Sequence, residues 1–200
     1  MREITTVLFN DFETLDVFGP IEIFGRLKEQ FIPQFYSQNG GIITSSHNVQ
    51  IITKAMSENK LENYILFIPG GVGTRDLVKK GEFINQLKLL SQKAEYIFTV
   101  CTGSVLFSKT GLMNNRKATS NKRSFFWAKN ESPEVNWIKK ARWIKDENIY
   151  SSSGVSAGMD MALGFISDLL GYEVAKKLSL EIEYEWHEDA DWDPFCELYE

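Results

Sequence analysis

Short apolar runs bounded by turn residues alternate along this chain with stretches in which apolar positions recur every three or four residues. The first kind predicts strands, the second helices that bury one face. Ile4 to Phe9 reads as a strand. The Asn10-Asp11 turn signal then gives way to helical spacing through Leu15, Phe18, Ile21 and Gly25, with Thr14 or Asp11 as the N-cap. Pro20 falls inside that stretch, which predicts a helix that starts late or kinks there. Phe31 to Tyr36 and Val49 to Thr53 read as further strands, separated by a Gly40-Gly41 turn. Ile65 to Ile68 is apolar without interruption, as expected of a strand covered on both faces, and it stops at Pro69-Gly70-Gly71. Leu77, Val78, Phe83, Ile84, Leu87 and Leu90 lie at helical intervals; Tyr96 to Val100 is the next strand, and Val105, Leu106 and Phe107 open a helix behind it. Trp143-Ile144 and Ile149-Tyr150 flank Asp146-Glu147-Asn148 as the arms of a hairpin. Met159, Ala162, Leu163, Ile166, Leu169 and Leu170 mark an amphipathic helix, and a last helix is expected from Glu173 to Glu185. Strands alternating with helices predict an α/β fold, a sheet sandwiched between helical layers.

Length and composition narrow the class. The 200 residues, 43% apolar, hold neither a low-complexity linker nor an internal repeat, so a single domain over 1–200 is expected. The amino-terminal apolar stretch is too short for a secretory segment, and no run approaches a membrane span; a cytoplasmic protein is expected, with no membrane partner. Cys101 and Cys196 are too few for a disulfide framework, and with His47 and His187 they lack zinc-site spacing, so no metal is expected. The net charge of −5 is unevenly spread: Asn115 to Lys145 carries nine Lys/Arg, whereas Glu181 to Glu200 carries nine acids and no base. Such blocks pair within a fold or across a dimer. The acidic whole and the lack of a groove-binding motif argue against nucleic acid as a partner.

One position invites chemistry. The Tyr96 to Val100 strand runs straight into Cys101-Thr102-Gly103 and a helical pattern, so the thiol stands at a strand end and a helix start, where free N–H groups favour a thiolate. The structural alternative is a small buried hydrophobe. Parallel sheets gather ligand sites at the carboxyl ends of their strands, and two other such ends carry unusual residues: Gly70-Gly71, and Asp16 in the segment after the first strand.

Taken together, Leu15-Asp16-Val17-Phe18-Gly19-Pro20-Ile21-Glu22, Pro69-Gly70-Gly71, Val100-Cys101-Thr102-Gly103 and Gly154-Val155-Ser156-Ala157-Gly158-Met159-Asp160 resemble the ThiJ/PfpI superfamily, and most closely its isonitrile hydratase branch. The resemblance implies a flavodoxin-like three-layer sandwich with a mostly parallel sheet, related to class I glutamine amidotransferases, and a homodimer. It implies that Cys101 is a nucleophile on a strained elbow and that Asp16 is the carboxylate beside it, able to shuttle a proton. Gly71 and Thr102 would offer backbone N–H groups to a developing negative charge. Gly70, Glu22, Asn121 and Ser156 are candidates for the pocket wall, and whether Asp16 or Glu22 faces the sulfur depends on where the first helix starts. The expected reaction adds water to a small electrophile such as an isonitrile, giving an N-substituted formamide without a cofactor. Glyoxalase or deglycase action on 2-oxoaldehydes, and a redox-sensing cysteine, are the alternatives. Similar domains also occur fused to helix-turn-helix regulators, and with no such region in these 200 residues a ligand-sensing role is disfavoured.

The chain also departs from its relatives. Many carry a histidine in an Ala-Thr-Thr-His stretch, where Ala118-Thr119-Ser120-Asn121-Lys122 here places Asn121. An amide cannot act as a general base, so a cysteine–histidine mechanism is disfavoured and a cysteine–carboxylate one favoured. His187, in Trp186-His187-Glu188-Asp189-Ala190-Asp191, reads as part of a solvated acidic tail.

Overall fold

The computed structural model describes residues 1–199. In chain order the elements are β1 (Arg2–Val7), α1 (Thr14–Arg26), β2 (Phe31–Ser37), β3 (Gly41–Thr44), β4 (Gln50–Ala55), β5 (Tyr64–Ile68), α2 (Thr74–Leu77), α3 (Gly81–Ser91), β6 (Ala94–Val100), α4 (Gly103–Ser108), β7 (Lys117–Ala118), α5 (Phe125–Glu131), β8 (Asn136–Trp137), β9 (Trp143–Asp146), β10 (Ile149–Ser152), α6 (Ala157–Leu170) and α7 (Tyr172–Glu181). Eight strands form one sheet in the order β3-β4-β2-β1-β5-β6-β10-β9. Its interior is parallel, and only the outermost strands, β3 and β9, run against their neighbours.

Alternation along the central strands decides which helices cover which face. Ile65 and Phe67 of β5 join one core cluster with Ile23 and Phe24 of α1, Met161 to Ile166 of α6, and Leu178 of α7. Leu66 and Ile68 join the other, with Phe83 and Leu87 of α3 and Val105 to Phe107 of α4. Both faces of the middle strands are therefore dry, which is why they read as unbroken apolar runs. On the first face Phe165 stands edge-on to Phe98 at 4.7 Å, with Tyr150 stacked on Phe98 at 5.1 Å. Among the described residues, no helix is long and apolar enough to cross a membrane.

Several local expectations are corrected. α1 starts at Thr14 and runs unbroken through Pro20; its N-cap is Glu13, in extended conformation, rather than Thr14 or Asp11. Pro20 costs the helix a single backbone bond, and its buried ring packs near Gly158 of α6, so tertiary packing outweighs propensity. Strand β3 pairs with β4 where only a turn was expected; Leu77 ends α2, and Phe83, Ile84, Leu87 and Leu90 lie on α3 at the helical intervals expected. The last helix ends at Glu181, short of Glu185.

The charge blocks meet inside the fold. Lys122 pairs with Asp193 at 3.0 Å with both side chains buried, and the Arg142 backbone N–H donates to Ala190 O at 2.7 Å. The tail is accordingly not simply solvated: His187 donates its backbone N–H to Asp160 and stacks its ring on Trp192 at 4.3 Å. Glu200, last of the acids, lies outside the described residues.

Candidate active site

The carboxyl ends of β1, β5 and β6 converge where the chain changes from strand to helix. β6 ends at Val100, α4 begins at Gly103, and between them Cys101 sits in the left-handed region at φ 56°. For a residue with a Cβ this conformation costs about 1–2 kcal/mol, and it persists only where neighbours enforce it. Here they do: the Cys101 N–H donates to Ser153 O at 3.0 Å, while its carbonyl accepts from Ser104 Oγ at 2.9 Å and Ser120 Oγ at 3.0 Å. Gly70 lets the β5 turn close on this elbow. A Cβ there would stand 2.6 Å from Thr102 N and 2.8 Å from Cys101 Cβ. Gly70→Ala is therefore expected to cost about 1–3 kcal/mol in urea unfolding, because the atoms met are backbone or fixed by it. A variant as stable as wild type would show that the turn has room to move.

Asp16, on the first turn of α1, is fully buried. Its Oδ2 accepts the Gly70 N–H at 2.9 Å, while Oδ1 makes no hydrogen bond to a defined protein donor. The Cys101 thiol lies near enough to this carboxyl for each group to shift the other's pKa. Burial pushes the carboxyl well above the usual range, against the lowering effect of the Gly70 N–H. Burial also pushes the Cys101 thiol up, and the nearby Asp16 carboxyl raises it further, while the Thr102 N–H and hydroxyl lower it. This corrects the expectation of a thiol depressed by a helix start. α4 has six residues, and its terminal N–H groups do not offset removal of the sulfur from water beside an acid. The two groups therefore resist carrying two negative charges at once, and they titrate as a pair. Cys101 retains 7% exposure, so the residue is nearly enclosed.

The other expected site residues fall into place unevenly. Thr102 touches the sulfur through its N–H and hydroxyl. The Gly71 N–H donates to Thr102 Oγ1 at 3.1 Å, and the Gly70 N–H is held by Asp16. The pair of free donors expected from Gly71 and Thr102 is thus reduced to the Thr102 N–H. Glu22 does not reach the site; it is exposed and accepts from Arg26 Nε at 2.8 Å, one turn along the same helix. Asn121 uses Oδ1 to accept the Ser124 N–H at 3.3 Å and points its amide toward Gly154, so it holds two loops together. Ser156 accepts from Arg142 at 3.3 Å and belongs with the Arg142–Asp160 pair.

Two residues with a part in the site were missed. Thr74, buried, sets its hydroxyl 2.7 Å from Gly71 O and 3.1 Å from Thr102 Oγ1, completing the network under the sulfur. Glu13 donates its backbone N–H to Gly70 O at 2.9 Å, and its charge raises both Asp16 and Cys101. Neither lies in a motif whose spacing announces it. A cavity of about 320 Å³ opens nearby, between Phe9, Asp11, Asn39, Asp76 and Lys80, but neither Cys101 nor Asp16 lines it.

A parallel sheet between two helical layers, with a cysteine elbow at its carboxyl edge, defines a flavodoxin-like α/β protein. A model of the DJ-1/PfpI family matches residues 2–168, and the chain belongs to that family. It is 27% identical over 184 residues to an isonitrile hydratase of Pseudomonas putida, a match covering 91% of this chain and 78% of the relative. It is also 27% identical over 149 residues to the transcriptional regulator GbdR of Pseudomonas aeruginosa, covering 74% of this chain but 40% of that protein. The crystal structure of a ThiJ/PfpI family protein from Pseudomonas syringae superposes with a TM-score of 0.83 at 26% identity, over 96% of this chain and 76% of that one.

Proposed function

We propose that the protein is a cysteine-dependent hydratase that converts an isonitrile to an N-substituted formamide, with Cys101 as nucleophile and Asp16 as the proton carrier. The observation that carries this reading is the buried Asp16 carboxyl against the Cys101 thiol, one oxygen fixed by Gly70 and the other uncommitted. A carboxyl that burial makes hold its proton more firmly than usual, beside a nucleophile, is suited to general acid work. The similarity to an isonitrile hydratase over most of the chain supports the choice of electrophile.

The steps balance as follows. Release of the thiol proton to solvent leaves a thiolate beside a neutral Asp16. The sulfur forms a bond to the terminal isonitrile carbon while Asp16 gives that carbon its proton, yielding a thioimidate and the Asp16 carboxylate. Water then adds across the carbon–nitrogen double bond, its hydroxyl going to carbon and its other proton, relayed by Asp16, to nitrogen. Expulsion of the thiolate leaves the formamide, and the hydroxyl proton returns to Asp16. Each turnover consumes one water and restores both groups. A peroxide-sensing role is the weaker reading, because oxidation follows thiolate character and exposure, and burial disfavours both here.

The test is proton NMR of an alkyl isonitrile incubated with the purified protein at neutral pH. A formyl signal that grows through many turnovers per protein is expected. An unchanged isonitrile would remove the hydratase reading, and consumption of methylglyoxal instead would favour the glyoxalase one.

A further inference from the structure

Arg75 is a cation without a counter-charge beside the Cys101 elbow, next in sequence to Thr74, whose hydroxyl lies 3.1 Å from Thr102 Oγ1. It lies on α2, the element that starts just after Gly70-Gly71, and it is partly buried. Its guanidinium lies over the Trp127 ring at 3.6 Å, and one Nη donates to Ser124 Oγ at 2.9 Å. Among the described residues no carboxylate forms an ion pair with it. Glu131 is the acid whose field reaches it, but Glu131 already accepts from Lys109 at 2.8 Å and from Trp127 Nε1 at 3.2 Å. The Cys101 sulfur lies close enough for a charge on it to hold the Arg75 proton more firmly, while burial works the other way. Apart from the bond to Ser124 Oγ, no protein acceptor meets the five Arg75 donors among the described residues, so they are available to solvent or to a ligand. The stack on Trp127 fixes the plane of the fork and leaves its edge as the binding face.

We propose that Arg75 is the anion-recognition residue of the Cys101 pocket, and that the electrophile attacked there carries a carboxylate. Carboxylate fits better than phosphate. One planar fork satisfies a single carboxylate by paired hydrogen bonds, whereas phosphate sites gather several cations or free backbone N–H groups. The N–H groups of the Gly70-Gly71 turn are already taken by Asp16 and Thr102, which leaves the Thr102 N–H alone at the sulfur. Glu13 carries its charge on the α1 side, so an anionic ligand is steered toward Arg75 in one orientation. As a statement about substrate this rests on Cys101 being the reacting group, but not on the reaction being isonitrile hydration.

The experiment is alkylation of Cys101 in the full chain with iodoacetate and with iodoacetamide, reagents of similar size that differ in charge. Their rate ratio cancels any general change in thiol reactivity. In the wild type the iodoacetate-to-iodoacetamide ratio is expected to exceed that of a free thiol such as N-acetylcysteine by about tenfold or more. In Arg75→Met it should fall to the free-thiol value or below it, since the Glu13 charge remains. An unchanged ratio in that variant, or a wild-type ratio no higher than the free thiol's, overturns the assignment. A protection experiment on the wild type alone decides the matter if the variant does not fold. Propionate should slow alkylation where propionamide does not; equal protection by the two overturns the proposal, and stronger protection by phosphate overturns the carboxylate assignment. If the protein hydrates isonitriles, isocyanoacetate should also show a higher kcat/KM than its methyl ester. Absence of any formamide would leave the alkylation ratio standing, so the two readings fail separately.

Discussion

Cys101→Ala is expected to lose formamide production by a factor of about 10⁴ or more, and Asp16→Asn by about 10²–10⁴, when initial rates are followed by proton NMR. The first substitution removes the sulfur that bonds to carbon in the proposed reaction. The second keeps the shape and the Gly70 hydrogen bond, because the amide oxygen can still accept at 2.9 Å, but it cannot give and recover a proton. The two losses should not add, since nucleophile and acid act in one step. Asp16→Asn should meanwhile be no less stable than the wild type. Burial raises the Asp16 carboxyl in the folded protein. Its contribution is therefore complete below the unfolded value of about 4 and is lost as pH rises through the folded value. An amide has no charge to bury, so the advantage of the variant in urea unfolding should grow with pH. A variant that is both active and less stable at high pH would reverse the assignment of Asp16 on both counts.

The second large effect concerns the scaffold. Arg142→Met is expected to destabilise the protein by about 3–5 kcal/mol in urea unfolding at pH 7, because it strands a buried charge. Asp160 is wholly enclosed, and its Oδ2 accepts from Arg142 Nε at 2.7 Å. Its Oδ1 is occupied by the Tyr184 hydroxyl and the His187 N–H, each at 3.0 Å. Replacing Asp160 with leucine in the same variant should not restore the loss in full, since Tyr184 and His187 would then keep unpaired donors. The cluster joins α6, the Arg142 segment before β9 and the tail after α7. A loss below about 1 kcal/mol for Arg142→Met would place the pair among surface-like contacts and show that water reaches it.

Much of this arrangement is written in local patterns. The buried strands β5 and β6, the amphipathic α6 and the elbow at Cys101 follow from unbroken apolar runs, helical spacing and small residues beside a cysteine. Family resemblance added the partner, Asp16, which no spacing rule would have joined to a residue so distant in sequence. The choice between Asp16 and Glu22 needed the helix start. With α1 beginning at Thr14, six residues at 3.6 per turn put Glu22 on a different face from the buried Asp16. The protonation of Cys101 was not legible, because it depends on how completely β6, the Gly70 turn and α1 close over the sulfur, a property of packing rather than of composition. Strands β7 and β8 are two residues each, too short for an alternating pattern. The acidic tail read as solvent-facing because its buried members are chosen by partners far away in sequence, Lys122 for Asp193 and Asp160 for His187.

The account turns on Cys101 and Asp16 being one electrostatic unit. The most direct measurement is the pH profile of Cys101 alkylation by iodoacetamide, in the wild type and in Asp16→Asn. The wild-type midpoint is expected above the free-thiol value of about 8.5, and the midpoint of the variant at lower pH, since removing the acid removes part of what keeps the proton on sulfur. Superimposable profiles would mean that Asp16 does not act on the sulfur, and a wild-type midpoint well below 8.5 would mean that the thiol is ionised without it.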